Sequence, residues 1–332
     1  MKVWTETLMA ARLLRTFTLR RVFNSVRMRL CTLARIRRVR TMPESISVEP
    51  ASVCNLQCPE CTLGGGRLQR RSQLMDMETF ENALRPLAPW LISCQFFFQG
   101  EPTLNPNLCT MIAKAHGRRI FTTMSTNGQT LSPKLCHNLV GSGLDQLIVS
   151  VDGTTQDVYS RYRVGGSLQA VIEGIGNMAE ARHQLGRHNP ELTVQFIVFR
   201  HNEHQIAEIR RLARQWGADS VVLKTAQIEN CNNIAETLPK NPRFRRYRQN
   251  PDGSFSILRN FSKNCFRLRS TIVVAANGDV AACCYDKNCR HNLGNVNTAN
   301  VLNIWQLPQT NLLRQQVWLT KNGLDICQNC IG

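Results

Sequence analysis

Cys54, Cys58 and Cys61 put three thiols into the eight-residue run Cys54-Asn-Leu-Gln-Cys58-Pro-Glu-Cys61, within a chain of 332 residues and fourteen cysteines. Most of these cysteines are clustered, a pattern that suits metal ligation better than a disulfide framework spread along a chain. The number three is informative. Three thiolates on a [4Fe–4S] cluster leave one iron without a protein ligand and open to a substrate or cofactor, whereas electron-transfer clusters usually take four. A zinc knuckle that borrows its fourth ligand elsewhere is the competing reading, since zinc also favours C-x-x-C pairs. Either way, thiolate ligation implies a reducing compartment.

A loop with three reactive thiols needs a rigid frame. From Ser45 onward, short β-type runs alternate with helical patterns, the signature of parallel strands joined by crossover helices. The strand candidates are Ser45 to Glu49, Ser93 to Phe98, Ile120 to Met124, Gln146 to Val151, Thr193 to Phe199 and Ser220 to Lys224. The helical segments between them include Met77 to Leu87, Asn107 to Ala115, Pro133 to Val140, Leu168 to Leu185 and Asn202 to Trp216. Six such units are too few to close an eight-stranded barrel. The expected fold is therefore α/β, a partial (β/α)6 barrel with a small cysteine-rich α+β domain after it. In α/β barrels the active site gathers at the C-terminal ends of the strands. The segments there are the loop 50–66, Gln99-Gly100-Glu101-Pro102, Ser125-Thr126-Asn127-Gly128 and Asp152-Gly153.

The C-x-x-x-C-x-x-C run after the first strand of such a barrel resembles the radical S-adenosylmethionine (radical SAM) superfamily. Gln99-Gly100-Glu101-Pro102 is similar to the family's Gly-Gly-Glu-Pro turn, which binds the methionine amino group of the cofactor. There Gly100 lets the backbone approach and Glu101 can accept from an ammonium. The resemblance further implies cofactor contacts at Asn127, Ser150 and Asp152, and at Arg163 for the cofactor carboxylate. Two positions depart from the pattern: Glu60 stands where many members carry an aromatic on the adenine, and Gln99 replaces a glycine. The implied chemistry is reductive cleavage of S-adenosylmethionine to methionine and a 5′-deoxyadenosyl radical, which abstracts hydrogen from substrate. An external donor such as flavodoxin or ferredoxin is implied as electron source.

A second group, Cys265, Cys283, Cys284, Cys289, Cys327 and Cys330, follows the polar stretch 240–264, which is expected to link a barrel at 43–239 to a domain at 265–332. Cys265, Gly278 and Cys283, with Leu293-Gly-Asn-Val296 and Asn303-Ile-Trp305, resemble the SPASM and twitch domains appended to many radical SAM enzymes. That resemblance implies a second, auxiliary [4Fe–4S] cluster, assigned to Cys265, Cys283, Cys327 and Cys330. Strand alternation is expected to turn Cys284 away from Cys283. Tyr285 and Asp286 beside it are candidate proton acceptors. The remaining thiols, Cys31, Cys94, Cys109, Cys136 and Cys231, are expected to pack as small hydrophobes.

Net charge is +18, and residues 1–42 supply +10 of it through Lys2 and ten arginines against Glu6. Leu19, Val22, Phe23, Val26, Leu30 and Leu33 recur at helical spacing among these arginines. This amphipathic helix is expected to pack its apolar stripe on the barrel; the other option is an anionic membrane surface or an acidic partner. Nucleic acid is not expected, because no stacking aromatics or binding motif accompany the arginines. Arginines interrupt every signal-like apolar run and no transmembrane stretch follows, so a cytoplasmic location, peripheral to the membrane at most, is expected. The short segment before the barrel favours a small polar or carbohydrate-like substrate to be dehydrogenated, with a peptide or protein substrate as alternative. A non-catalytic zinc scaffold is the alternative of another class.

Overall fold

The computed structural model describes residues 13–34, 36, 38–229, 234–258, 265–319 and 324–330. After a first helix, α1 (Leu19–Leu33), the chain lays down β1 (Ser45–Val48), α2 (Met77–Leu87), β2 (Ser93–Phe96), α3 (Leu108–Gly117) and β3 (Phe121–Thr126). It continues with α4 (Pro133–Gly141), β4 (Gln146–Ser150), α5 (Leu168–Gln184), β5 (Glu191–Val198), α6 (Ile206–Gln215) and β6 (Ser220–Thr225). β1 to β6 stand side by side in sequence order and pair in parallel, as βαβ crossovers require. α2, α4 and α5 start at side-chain caps: Asp76 accepts from Thr79 N at 2.7 Å, Ser132 from Leu135 N at 3.3 Å and Ser167 from Ala170 N at 3.2 Å.

Alternation along each strand sorts the two faces. Ile46, Val48, Phe96, Met124, Val149 and Val194 are fully buried in one core with Phe80, Leu84, Ile112 and Ile175 of the helices. Each such side chain contributes about 1.5–3 kcal/mol. The opposite parity is more polar, with Ser47, Gln95, Thr123 and Ser125. It faces the barrel interior. Cys94 and Cys136 are fully buried and Cys109 packs against the same core, as expected, while Cys231 lies outside the described residues.

The C-terminal segment joins the barrel sheet. β9 (Thr271–Val274) pairs in parallel with β1, Ser45 opposite Thr271, and β10 (Val280–Ala281) pairs antiparallel with β9. The hairpin covers an edge of β1 that a partial barrel otherwise leaves unpaired. The stretch expected as a plain linker also folds: β7 (Tyr247–Gln249) and β8 (Phe255–Ile257) form a hairpin. Its turn is Asn250-Pro251-Asp252-Gly253, with Gly253 at φ +83° and Asp252 accepting from Ser254 N at 3.0 Å. Helices α7 (Val301–Gln306) and α8 (Pro308–Leu319) follow.

The expected packing of the α1 stripe on the barrel is wrong. The residues turned inward are Arg21, Asn24, Ser25 and Met28, and the apolar stripe faces outward. The cause is polar. Arg21 donates to the backbone carbonyls of Thr16 (2.8 Å), Arg119 (2.6 Å), Ala88 (2.9 Å) and Arg118 (2.9 Å). Ala88 and Arg118 are the C-caps of α2 and α3, where helices leave carbonyls unsatisfied and carry partial negative charge. Asn24 exchanges two hydrogen bonds with the Met42 backbone, and Ser25 donates to Glu44. No helix among the described residues is long and apolar enough to cross a membrane.

Candidate active site

The three cysteines sit in the loop that leaves β1. An isolated bridge between Ala51 and Leu74 clamps its mouth. Inside, Cys61 N donates to Cys58 O at 3.1 Å and Gly65 N to Cys61 O at 2.8 Å, so the last two thiols lie on a helix-like coil. Gly64 packs so closely that a Cβ there would meet Cys58 N at 2.6 Å. The sulfurs are approached by donors: Leu56 N lies 3.4 Å and Asn127 Nδ2 3.7 Å from Cys54 Sγ, and Arg163 Nη1 lies 3.8 Å from Cys58 Sγ. Burial pushes the Cys58 thiol up to about 11, against the pull of Arg163.

The glycine turn after β2 rests on this loop. Gly100 has φ +71°, and a Cβ on it would meet the Ala51 carbonyl oxygen at 2.2 Å and that of Val53 at 2.7 Å. Only glycine permits this approach. Glu101 is buried, and burial raises its pKa. Its Oε1 accepts from Thr103 N, Thr103 Oγ1 and Thr126 Oγ1, and its Oε2 accepts from Asn127 N at 2.8 Å. One carboxylate thus fixes the turn after β3 to the turn after β2. Asn127 Nδ2 also donates to Asn55 at 2.7 Å.

Arg163 reaches the cavity from beyond β4, held by Asp152, whose Oδ2 accepts from Arg163 Nε at 2.7 Å and whose Oδ1 accepts from Ile197 N at 2.6 Å. Gly100, Glu101, Asn127, Ser150 and Arg163 line one cavity of about 220 Å³ with the three cysteines. Asp152 is fully buried behind Arg163 and does not line that cavity. Phe97, Phe98 and Tyr162 do, and sequence reasoning missed them. The available signal was the run Phe96-Phe97-Phe98 leading into the glycine turn. Glu60 is engaged elsewhere, accepting from Glu229 N at 2.6 Å.

The second thiol group lies against one small apolar cluster that includes Cys265, Cys283 and Cys327. Cys330 N donates to Cys327 O at 3.2 Å, which curls the closing C-x-x-C. The strand alternation expected to set Cys284 opposite Cys283 does not apply to this pair. β10 ends at Ala281, so alternation does not reach these residues, and Asp286 N closes a turn on Cys283 O at 3.0 Å. Burial raises the Cys284 pKa against the pull of Arg267; Cys330 and Cys265 are near enough to push the same way. Arg267 Nη1 stands 3.4 Å from Cys284 Sγ, a cationic neighbour that its place two residues after Cys265 could have signalled. Cys289 lies apart, near Arg70, Asp286 and Glu49, with burial pushing its thiol up to about 12.

A cleft of about 550 Å³ separates this region from the first cysteine loop, lined by Arg67, Gln69, Glu229, Tyr285, Lys287 and Asn288 among others. Tyr285 is among its lining residues, and its hydroxyl accepts from Arg246 Nη2 at 3.1 Å. Asp286 is committed to the backbone, accepting from Ala282 N, Arg290 N and His291 N. Among the described residues no three or more His, Cys, Asp or Glu side chains close on a single-ion position; thiolates around a four-iron cube stand wider apart. The loop thiols, with N–H donors aimed at two sulfurs, fit such a cluster.

A partial βα barrel that offers three thiols and a glycine turn at its strand ends defines a class of cluster-bearing barrels. The family model of the radical SAM superfamily matches residues 48–213, half of the chain, and this chain belongs to that superfamily. A SPASM model, an iron–sulfur cluster-binding domain, matches residues 265–331. The family and its SPASM domain take S-adenosylmethionine and two [4Fe–4S] clusters.

Among curated relatives, the mycofactocin maturase MftC of Mycobacterium ulcerans is 26% identical over 176 residues, 53% of this chain and 46% of the relative. The PqqA peptide cyclase of Ruegeria pomeroyi is 28% identical over 203 residues, 60% of this chain and 52% of the relative. The chain thus spans about half the length of the curated relatives it matches. Streptococcus suis SuiB bound to S-adenosylmethionine superimposes with a TM-score of 0.63 at 15% identity, over 88% of this chain and 72% of that one. The fold is shared.

Proposed function

We propose that this radical SAM enzyme modifies a peptide, with Cys54, Cys58 and Cys61 holding the S-adenosylmethionine-binding cluster and Cys265, Cys283, Cys327 and Cys330 the auxiliary one. The observation that carries the reading is the 550 Å³ cleft between the two thiol groups, whose charges of both signs suit the amides and charged side chains of a peptide. Two of the relatives support a peptide over the small polar substrate expected from sequence: one is a PqqA peptide cyclase, and SuiB is also known bound to the precursor peptide SuiA. When bound, the first cluster supplies the electron that cleaves S-adenosylmethionine to methionine and the radical that abstracts hydrogen.

The chain's own residues bind and orient. Gly100 brings backbone to the methionine amino group, and Glu101 Oε2, with one hydrogen bond already taken, keeps acceptor capacity for the ammonium. Arg163 meets the carboxylate, and Asp152 positions it. Asn127 and Ser150 serve the ribose, while Phe97, Phe98 and Tyr162 supply the apolar wall that Glu60 does not. These walls exclude water from a reactive intermediate. Tyr285, which lines the cleft, is the candidate proton acceptor there, and the external electron donor is of the flavodoxin or ferredoxin kind.

The test is anaerobic turnover with deuterium-labelled peptide mixtures and, separately, labelled polyols. Label passing from peptide into 5′-deoxyadenosine is the expected result. Transfer from polyols alone would overturn the peptide reading.

A further inference from the structure

Helix α1 is docked with its polar side inward, and its other side is bare. Leu19 is 92% exposed, Phe23 69%, Leu30 59% and Leu33 78%, with Val22 and Val26 exposed between them. At 100° per residue these six fall on one stripe, and Phe17 and Ile36, beyond the two ends of the helix, are also exposed. Arg20 and Arg27 flank the stripe on one side; on the other Arg29 stands exposed but paired with Glu44 at 3.1 Å, and Arg38 and Arg40 follow, also exposed. No carboxylate occurs between Glu6 and Glu44.

We propose that α1 lies in the surface of an anionic lipid bilayer, with its apolar stripe at the acyl boundary and its arginines among the headgroups. An apolar stripe edged by Arg20 and Arg27, with Arg38 and Arg40 beyond its end, is the geometry of an interfacial helix. A second copy of the chain is a poorer occupant, because a two-fold contact sets one arginine border against another. A protein groove would call for directional partners, and the stripe itself offers only aliphatic and aromatic carbon.

The docking also fixes which way the enzyme faces. Arg21 binds the carbonyls of Ala88, Arg118 and Arg119, which lie just before β2 and β3, so α1 crosses the N-terminal ends of the strands. The cysteine loop leaves the C-terminal end of β1. A protein held on the bilayer by α1 therefore opens its cavity toward the water, and its substrate arrives from that side. This inference does not depend on the cluster assignments.

The experiment is flotation of the full-length protein with vesicles of phosphatidylcholine, with and without phosphatidylglycerol, at low and high salt. Binding to the phosphatidylglycerol vesicles alone, weakened by salt, is expected. Phe23→Asp with Leu30→Asp, both at exposed positions, should reduce that binding at least about tenfold, because two apolar contacts become charges. The variant should keep the wild-type circular dichroism and rate of 5′-deoxyadenosine release. Absence of binding to phosphatidylglycerol vesicles overturns the proposal, as does equal binding by the variant. Concentration-dependent dimerisation that the variant abolishes, without vesicle binding, would instead assign the stripe to a second copy.

Discussion

Arg163, its side chain 12% exposed, pairs with the fully buried Asp152 on one side and stands 3.8 Å from the Cys58 sulfur on the other. Removing one partner of a buried ion pair costs about 3–5 kcal/mol, because the other is left uncompensated. Asp152→Ala should therefore lower the free energy of unfolding by that amount in denaturant titration and weaken S-adenosylmethionine binding, although Asp152 lines no part of the cavity; unchanged binding would show that Arg163 needs no such support. Gly100→Ala forces a Cβ against two carbonyl oxygens at φ +71°, so thermal melting should show a loss of at least about 1–3 kcal/mol. The thiols of the first loop and Gly100 were legible in the sequence because their spacing is local. The commitments of Glu101 to Thr126 and of Asp152 to Ile197 were not, since they depend on which turns the strands bring together.

Element α1 shows where periodicity stops being informative. The spacing of its apolar residues gave the helix, yet the docked face is set by carbonyls at Ala88, Arg118 and Arg119, far away in sequence. Arg21→Ala removes charge-assisted bonds worth about 1.5–3 kcal/mol each, so hydrogen exchange across residues 19–33 should accelerate strongly while the barrel strands stay protected. The segment before α1 adds a pH dependence. Burial, and then the Arg15 guanidinium beside it, holds the His116 imidazole below its ordinary value of 6.5. The folded chain keeps this ring neutral where the unfolded chain takes up a proton, so its contribution is full above about pH 6.5 and is lost as pH falls through that value. Melting temperature should fall below that pH, and His116→Asn should flatten the fall. The stretch after β6 was legible only as polar and turn-rich, because its three-residue strands are too short to show alternation.

Across the whole molecule the two thiol groups are joined by the barrel sheet and by Glu49. Its buried carboxylate accepts from Gln99 N at 3.1 Å and Ala276 N at 2.9 Å and pairs with Arg70, so one residue ties β1, the glycine turn and the auxiliary hairpin. Glu49→Ala should cost about 3–5 kcal/mol and loosen both cysteine regions in one cooperative transition; separate transitions would mean that the hairpin folds on its own. The parallel order of the strands followed from their alternation with helices, whereas the pairing of β9 with β1 joins segments more than two hundred residues apart and leaves no local trace. Anaerobic reconstitution should give about eight irons per chain. The most direct measurement is electron paramagnetic resonance of the reduced protein before and after S-adenosylmethionine is added, in the wild type and in Cys58→Ala. An altered cluster signal in the wild type, with 5′-deoxyadenosine released under reductant, and neither effect in the variant, is the expected result. A signal indifferent to S-adenosylmethionine, or stoichiometric zinc in place of iron, would contradict it.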